Sequence, residues 1–132
     1  MSAGTGERFT IELPADPAYV ATARIFASEL ARQVGVPVEM LDDVKVAISE
    51  ACTRALRSAE HQDHLKVRVH RSQGRLAFEV PQGEITPKPR GSSTDDLTAA
   101  LSLELITVLF EDGEATRDDD GEPVIRFSVP IS

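Results

Sequence analysis

The sequence predicts a two-layer α/β sandwich in which three helices cover one face of a mostly antiparallel, five-stranded sheet. First, short segments alternate apolar and polar residues, as strands with one buried face do. Second, three longer segments repeat apolar residues at three- and four-residue steps, as amphipathic helices do. Third, the order β-α-α-β-β-α-β-β supplies helices for one sheet face and leaves the other face to water. We expect residues 1–132 to form a single domain.

The first strand is predicted from Phe9 to Leu13, where apolar and polar residues alternate. A helix then begins at Asp16-Pro17, because Asp is a favoured N-cap and Pro fits the first turn. Gly35 is a plausible end for this helix. Its apolar side is formed by Val20, Ala23, Ala27, Leu30, Ala31 and Val34.

The second helix is predicted from Pro37 to about Ser58, and its pattern is the most regular in the chain. Its apolar face holds Leu41, Val44, Ile48, Cys52 and Ala55. By the same spacing, another face holds Asp43, Ala47, Glu50, Arg54 and Arg57. Glu50 and Arg54 are thus one turn apart, acid before base, which is the favourable order for an ion pair on a helix.

The second half of the chain predicts two strand pairs separated by a helix. A hairpin runs from Leu65 to Val80 around the turn Ser72-Gln73-Gly74. A loop rich in Pro and Gly leads to a third helix from Thr94 to about Glu111. Two final strands, 114–117 and 124–129, flank the acidic turn 118–121. The residues expected in the core are Ile48, Cys52, Val67, Phe78 and Phe127.

Composition narrows the classes of partner. The chain has 14 Lys and Arg against 22 Asp and Glu, a net charge of −8, so we expect no direct binding to nucleic acid. Such acidity suits a basic protein partner, or it serves only solubility. The single cysteine excludes an internal disulfide and fits a reducing compartment, and Cys52 is predicted to be a small core residue rather than a redox site.

No segment predicts insertion into a membrane. The N-terminus lacks the apolar stretch of a secretory leader. The apolar run from Leu97 to Phe110 is interrupted by polar residues and is too short to span a bilayer. We therefore expect a cytoplasmic protein.

Two other clusters are weak candidates for metal binding. His61, His64 and His70 lack the spacing of a metal site and have no nearby Cys, so we predict solvated histidines. The acidic segment Asp118-Asp119-Asp120-Gly121 resembles the start of a calcium loop but lacks the downstream Glu, so we predict a turn. We therefore expect no metal site.

The second helix resembles the N-box helix of the GHKL (Bergerat-fold) ATPases. The segment Ser49-Glu50-Ala51-Cys52-Thr53 is most similar to the serine-kinase branch of that fold, the RsbW/SpoIIAB-type anti-sigma factors. The predicted order of elements is also that of this family, and the resemblance covers nearly the whole chain. It implies that Glu50 occupies the position of the catalytic base. An Asn four residues later holds magnesium in the family, and here that position is Arg54.

The nucleotide-binding elements of the family are degenerate in this chain. A guanidinium offers no acceptor and cannot ligate magnesium. With the hairpin end aligned on Gly83, Pro81 replaces the Asp that reads adenine, and the following Gly becomes Ile85. The phosphate-binding G-x-G is absent, since residues 99–103 contain no glycine. Only Glu50 remains, as a vestigial base.

Two explanations of Arg54 stay open. Arg54 contacts a phosphate directly in a metal-free nucleotide site, or the pocket is filled and Arg54 pairs with Glu50 on the surface. We expect the second. Such an exposed pair adds only ~0.3–0.5 kcal/mol, so it does not by itself account for the motif.

The resemblance implies an anti-sigma factor that sequesters an alternative, stress- or sporulation-type sigma factor. A STAS-domain anti-anti-sigma factor would release it, and family members are often homodimers. In the family the first helix forms much of the partner surface, and Arg24 is the best charged candidate there. We expect no ordinary kinase activity and no cofactor. One alternative is an active serine kinase that phosphorylates its STAS antagonist with ATP and magnesium; another is a non-catalytic GHKL-fold dimerisation or regulatory module.

Overall fold

The computed structural model describes residues 6–58, 64–83 and 93–131. Its elements follow the predicted order: β1 (Arg8–Pro14), α1 (Val20–Val34), α2 (Val38–Ser58), β2 (His64–Ser72), β3 (Arg75–Pro81), α3 (Ser93–Leu109), β4 (Glu114–Arg117) and β5 (Pro123–Pro130). The loop predicted between β3 and α3 falls mainly on residues 84–92, which lie outside the described residues. No described helix combines the length and the hydropathy that crossing a bilayer requires.

The five strands form one sheet in the order β1-β2-β3-β5-β4, and every neighbouring pair is antiparallel. Cross-strand register places the apolar side chains of all the long strands on one face. Val69 lies opposite Phe78, and Phe78 lies opposite Phe127. The two-layer sandwich predicted from alternation is confirmed.

The open face of the sheet carries charged side chains in cross-strand rows. Arg68 lies opposite Glu79, which in turn lies opposite Arg126. The Arg126 Nε donates to Glu79 Oε2 at 2.9 Å, and the Arg68 Nη2 donates to Asp118 Oδ2 at 2.9 Å. Opposite charges on adjacent strands favour this pairing and leave the face polar.

Helix α2 is the middle of the helical layer. It packs against α1 on one side and α3 on the other, and it also covers β2 and β3. Because both flanks are covered, α2 has more than one buried side. Ala47, which helical spacing places on the same face as Glu50 and Arg54, is fully buried, and those two side chains are half-buried. This second face of α2 is therefore covered in part, as the packing of α1 and α3 against α2 requires.

Helix α1 has the predicted caps with one refinement at its start. The Asp16 Oδ1 accepts a hydrogen bond from the Ala18 N–H at 2.8 Å, but the turn that it caps is a 3-10 turn, Pro17–Tyr19, and α1 begins at Val20. Gly35 ends α1 in the left-handed region with φ 98°, a conformation that favours glycine.

Aromatic side chains join the sheet to α3. The ring of Phe127 on β5 stacks on Phe78 of β3 at 5.0 Å between centroids, and on Phe110, directly after α3, at 4.5 Å. Phe78 and Phe127 are fully buried, and so are the other three residues predicted for the core. Phe127 thus lies where the two layers meet.

Substitution of Phe127 tests this packing. We expect Phe127→Ala to lower the free energy of unfolding by about 3–5 kcal/mol, because a buried aromatic leaves a cavity at the layer interface. Urea denaturation followed by circular dichroism measures this. Phe9→Ala, which removes a partly buried ring from the edge strand β1, is the matched control and should cost less. Equal costs for the two variants would contradict the central place of Phe127.

Candidate functional site

The candidate site lies where α2, α3 and the end of β3 meet. Glu50, at the predicted catalytic position, is half-buried on α2. The Ser102 hydroxyl on α3 donates to the Glu50 Oε1 at 2.7 Å. Ser102 is itself buried, at 6% exposure. The carboxylate therefore accepts a hydroxyl hydrogen bond from within the chain, and this bond joins α3 to α2.

Arg54 lies one turn further along α2 and is also half-buried. The Arg54 Nη1 donates to the Gln82 Oε1 at 3.4 Å, a long hydrogen bond. Burial lowers the pKa of the Arg54 guanidinium, because desolvation disfavours its charged form. An arginine remains a cation at neutral pH even so, and the Gln82 Oε1 that accepts this hydrogen bond is a neutral amide oxygen.

Gln82 is the most buried polar residue of the site, at 1% exposure. Its Nε2 donates to two backbone carbonyls, that of Ala51 on α2 and that of Val80 on β3, both at 3.1 Å. Its backbone N–H donates to the Pro123 carbonyl at the start of β5, at 2.9 Å. Gln82 therefore ties the end of β3 to both the central helix and the neighbouring strand.

The two residues expected to pair with each other have different hydrogen-bond partners. The ion pairs formed between described residues do not include Glu50 with Arg54. Each side chain instead contacts a residue that the sequence analysis did not single out, Ser102 or Gln82. Neither Glu50 nor Arg54 is the fully exposed group that a surface pair requires, because α1 and α3 flank α2.

The residues at this site do not fit magnesium-ATP as the resemblance would place it. The magnesium position is Arg54, which has no acceptor atom. Buried Pro81 stands where an adenine-reading carboxylate would be, and buried Gln82 follows it. Helix α3 is continuous from Ser93 to Leu109, so residues 99–103 are helical and offer no glycine loop to phosphates.

Two signals in the sequence point to the residues that were missed. Ser102 is a polar interruption in the apolar run that became α3. Gln82 follows directly on a strand whose inward residues are apolar. A polar residue next to or within an apolar segment is either exposed or hydrogen-bonded, and periodicity alone does not say which.

Arg24, the partner-surface candidate, lies exposed on α1. Its neighbour Ile25 is a large apolar side chain that is 63% exposed. Arg24 lies on α1, whereas Glu50 and Arg54 lie on α2. The candidate for partner binding and the two N-box residues therefore belong to different helices.

Cys52 and the histidines, the remaining candidates from the sequence, do not form a site in the described residues. Burial raises the pKa of the Cys52 thiol to about 12, as suits a core residue. His61 lies outside the described residues, whereas His64 is exposed and its Nδ1 lies 3.4 Å from the Glu12 Oε1. The part of the chain that the structure describes contains no group of three or more His, Cys, Asp or Glu residues placed to hold a metal.

The acidic segment after β4 is a turn, as predicted. The Asp118 Oδ1 accepts hydrogen bonds from the backbone N–H groups of Asp120 and Glu122, both at 2.9 Å. The Glu122 contact is the largest cause that lowers the pKa of the Asp118 carboxyl. Asp118 therefore closes the β4–β5 connection and meets Arg68 of the open sheet face.

Comparison with known proteins identifies the family of this chain. Residues 13–128 match the family described as the histidine kinase-like ATPase domain. A protein of Listeria monocytogenes named serine-protein kinase RsbW is 29% identical over 128 residues, covering 86% of this chain and 82% of the relative. Proteins of the same name from Bacillus pumilus and Bacillus subtilis are 28% and 27% identical. The match covers 83% and 77% of this chain, and 78% and 73% of the respective relatives.

A solved structure has the same fold. It is the crystal structure of the RsbU and RsbW domains of Rv1364c from Mycobacterium tuberculosis, with a TM-score of 0.71 at 16% identity. The superposition covers 95% of this chain but 32% of that one, so the present chain spans about a third of that longer protein.

Gln82 offers a test of the site as a structural junction. We expect Gln82→Ala to lower the free energy of unfolding by about 1–3 kcal/mol, because it removes buried hydrogen bonds to two elements. Gln82→Met keeps most of the volume and separates the loss of hydrogen bonds from the loss of packing. Gln73→Ala in the exposed β2–β3 turn is the control for urea denaturation, with an expected change within about 0.5 kcal/mol. Equal stability of the Gln82→Ala and Gln73→Ala variants would refute the assignment.

Proposed function

The chain belongs to the histidine kinase-like ATPase domain family, and from this membership we propose that it is an anti-sigma factor that works by binding alone. It binds an alternative sigma factor of the stress or sporulation type and keeps it from core RNA polymerase. A STAS-domain anti-anti-sigma factor releases the sigma factor by competing for the same protein. In this proposal the protein acts in the cytoplasm. It also forms a homodimer.

The observation that carries this proposal is that the polar side chains of the candidate site are hydrogen-bonded to other residues of the chain. Ser102 donates to Glu50, which is at the position of the catalytic base. Arg54, at the position of the magnesium ligand, donates to Gln82, which in turn donates to the Ala51 carbonyl. Protein binding needs a complementary surface, whereas phosphoryl transfer needs a metal and a bound nucleotide. The residues of this chain favour protein binding, and the arginine at the magnesium position disfavours phosphoryl transfer.

The surface proposed for the sigma factor is the exposed side of α1. Arg24 provides a cation there and Ile25 an apolar contact, a combination that favours a specific interface. The relatives named serine-protein kinase RsbW cover most of this chain and support a role of the partner-switching kind, either as an anti-sigma factor or as a serine kinase. The net charge of −8 favours a basic partner.

A second candidate is an active serine kinase that phosphorylates its STAS antagonist. One contact favours it: the Glu50 carboxylate lies 2.7 Å from a serine hydroxyl, which is the distance at which a general base takes a proton. In that case Ser102 would have to leave Glu50 so that the acceptor serine could replace it, and Arg54 would have to contact the phosphates in place of magnesium.

The α1 surface can be tested by charge reversal. The tagged protein is purified from the cells that encode it, and bound proteins are identified by mass spectrometry. We expect a sigma factor to co-purify with the wild type and to be largely lost with Arg24→Glu, because the cation at the interface becomes an anion. Arg8→Glu, which reverses an exposed arginine on the open sheet face, is the matched control and should retain the sigma factor. Retention by Arg24→Glu would remove this residue from the interface, and the absence of any sigma factor would overturn the function.

Calorimetric titration separates the two candidates. We expect no measurable magnesium-ATP binding and no phosphate transfer to a STAS protein. Two lost charge-assisted contacts weaken binding by at least about 3 kcal/mol, or about two powers of ten. Saturable micromolar binding that Arg54→Ala abolishes would show that the guanidinium has replaced the metal. Transfer of phosphate, lost in Glu50→Ala, would make the kinase the correct assignment.

A further inference from the structure

Helix α3 has apolar residues on two sides but is covered on one. Its inward side includes Ile106, which is fully buried. On the other side Leu101, Leu105 and Val108 are 55%, 38% and 75% exposed. Their spacing of four and three residues places them in one row about 10 Å long. We name this row the α3 stripe. A row of large apolar side chains in water marks an interaction surface.

The α3 stripe is held in place from behind. The Ser102 hydroxyl binds Glu50 of α2, and Phe110 at the end of α3 stacks on Phe127 of the sheet. These contacts fix which side of α3 faces the core, and therefore which side faces outward. The stripe is a preorganised ridge on a packed helix, which lowers the entropic cost of binding.

The charged residues next to the α3 stripe along the sequence are acidic. Glu104 lies between two of its members along the helix, and Glu111, Asp112 and Glu114 follow its end; all four are exposed. The sequence from residue 91 to residue 116 contains no Lys or Arg. An apolar row with an acidic border complements an apolar row with a basic border.

We propose that the α3 stripe is a docking site for an amphipathic helix with basic residues, carried by a partner protein. A single helical ridge packs into the groove beside a facing helix, with anchors at four- and three-residue steps. A second copy of this chain fits less well, because two stripes would bring two acidic borders together.

This surface is distinct from the one proposed for the sigma factor. Helices α1 and α3 both pack on α2, but α1 also packs on β1 and β2 while α3 packs on β4. Since β1 and β4 are opposite edges of the sheet, Arg24 and the α3 stripe lie on opposite flanks of the helical layer. Two partners can therefore contact the chain without sharing residues.

The experiment uses a fluorescent, helix-forming peptide of leucine and lysine as the probe, with fluorescence anisotropy as the readout. Val108→Glu should raise the dissociation constant at least about tenfold, since one buried valine side chain is worth about 1.5 kcal/mol. Val38→Glu on α2 is the matched control: it is also a valine, it is also 75% exposed, and it should leave the affinity within about twofold. Glu104→Lys should weaken binding and reduce its dependence on salt.

Four results would overturn the proposal. The wild type fails to bind the peptide, Val38→Glu weakens binding as much as Val108→Glu does, or a peptide of leucine and glutamate binds as tightly as the basic one. The fourth is a dimer, seen by sedimentation velocity, that Val108→Glu dissociates, because the occupant is then a second copy. Circular dichroism of each variant verifies that the fold is retained, as the exposure of both valines leads us to expect.

Discussion

The enclosure of helix α2 on three sides is the constraint on which the rest of the structure depends. The sheet covers one side, and α1 and α3 cover the flanks. A polar group on a covered side of such a helix is stabilised by a hydrogen bond inside the protein, because unsatisfied buried groups are costly. Glu50 therefore binds Ser102, and Arg54 binds Gln82. The same enclosure that forms the core thus determines what the site residues touch.

These contacts give the candidate site a structural role. Ser102 of α3 hydrogen-bonds Glu50 of α2 within the helical layer, and Gln82 at the end of β3 hydrogen-bonds the Ala51 carbonyl of α2 across the two layers. Gln82 alone bonds to α2, β3 and the start of β5. A change at this position therefore acts on the packing of the layers as well as on local chemistry, which is why stability and binding have to be measured separately here.

The fold could be predicted from local pattern, and the site could be predicted only in part. Alternation identified the buried faces of the strands that hold Val67 and Phe78, since a strand presents its side chains with a period of two. Periodicity also located Glu50 and Arg54. Periodicity could not predict that Ala47 is buried, or that Ser102 is the partner of Glu50 and Gln82 that of Arg54. These facts depend on contacts between elements far apart in sequence, and Ser102 is 52 residues from Glu50.

The order of the strands makes the two edges of the sheet unequal. Within the described residues, β4 is four residues long and β1 is seven. A short edge offers few backbone groups to a foreign strand, and charged residues or proline discourage its addition at a longer one. Strand β1 begins with Arg8, carries Glu12 and ends with Pro14. The open sheet is therefore protected at both borders against growth into larger aggregates, although its polar face has no covering layer among the described elements.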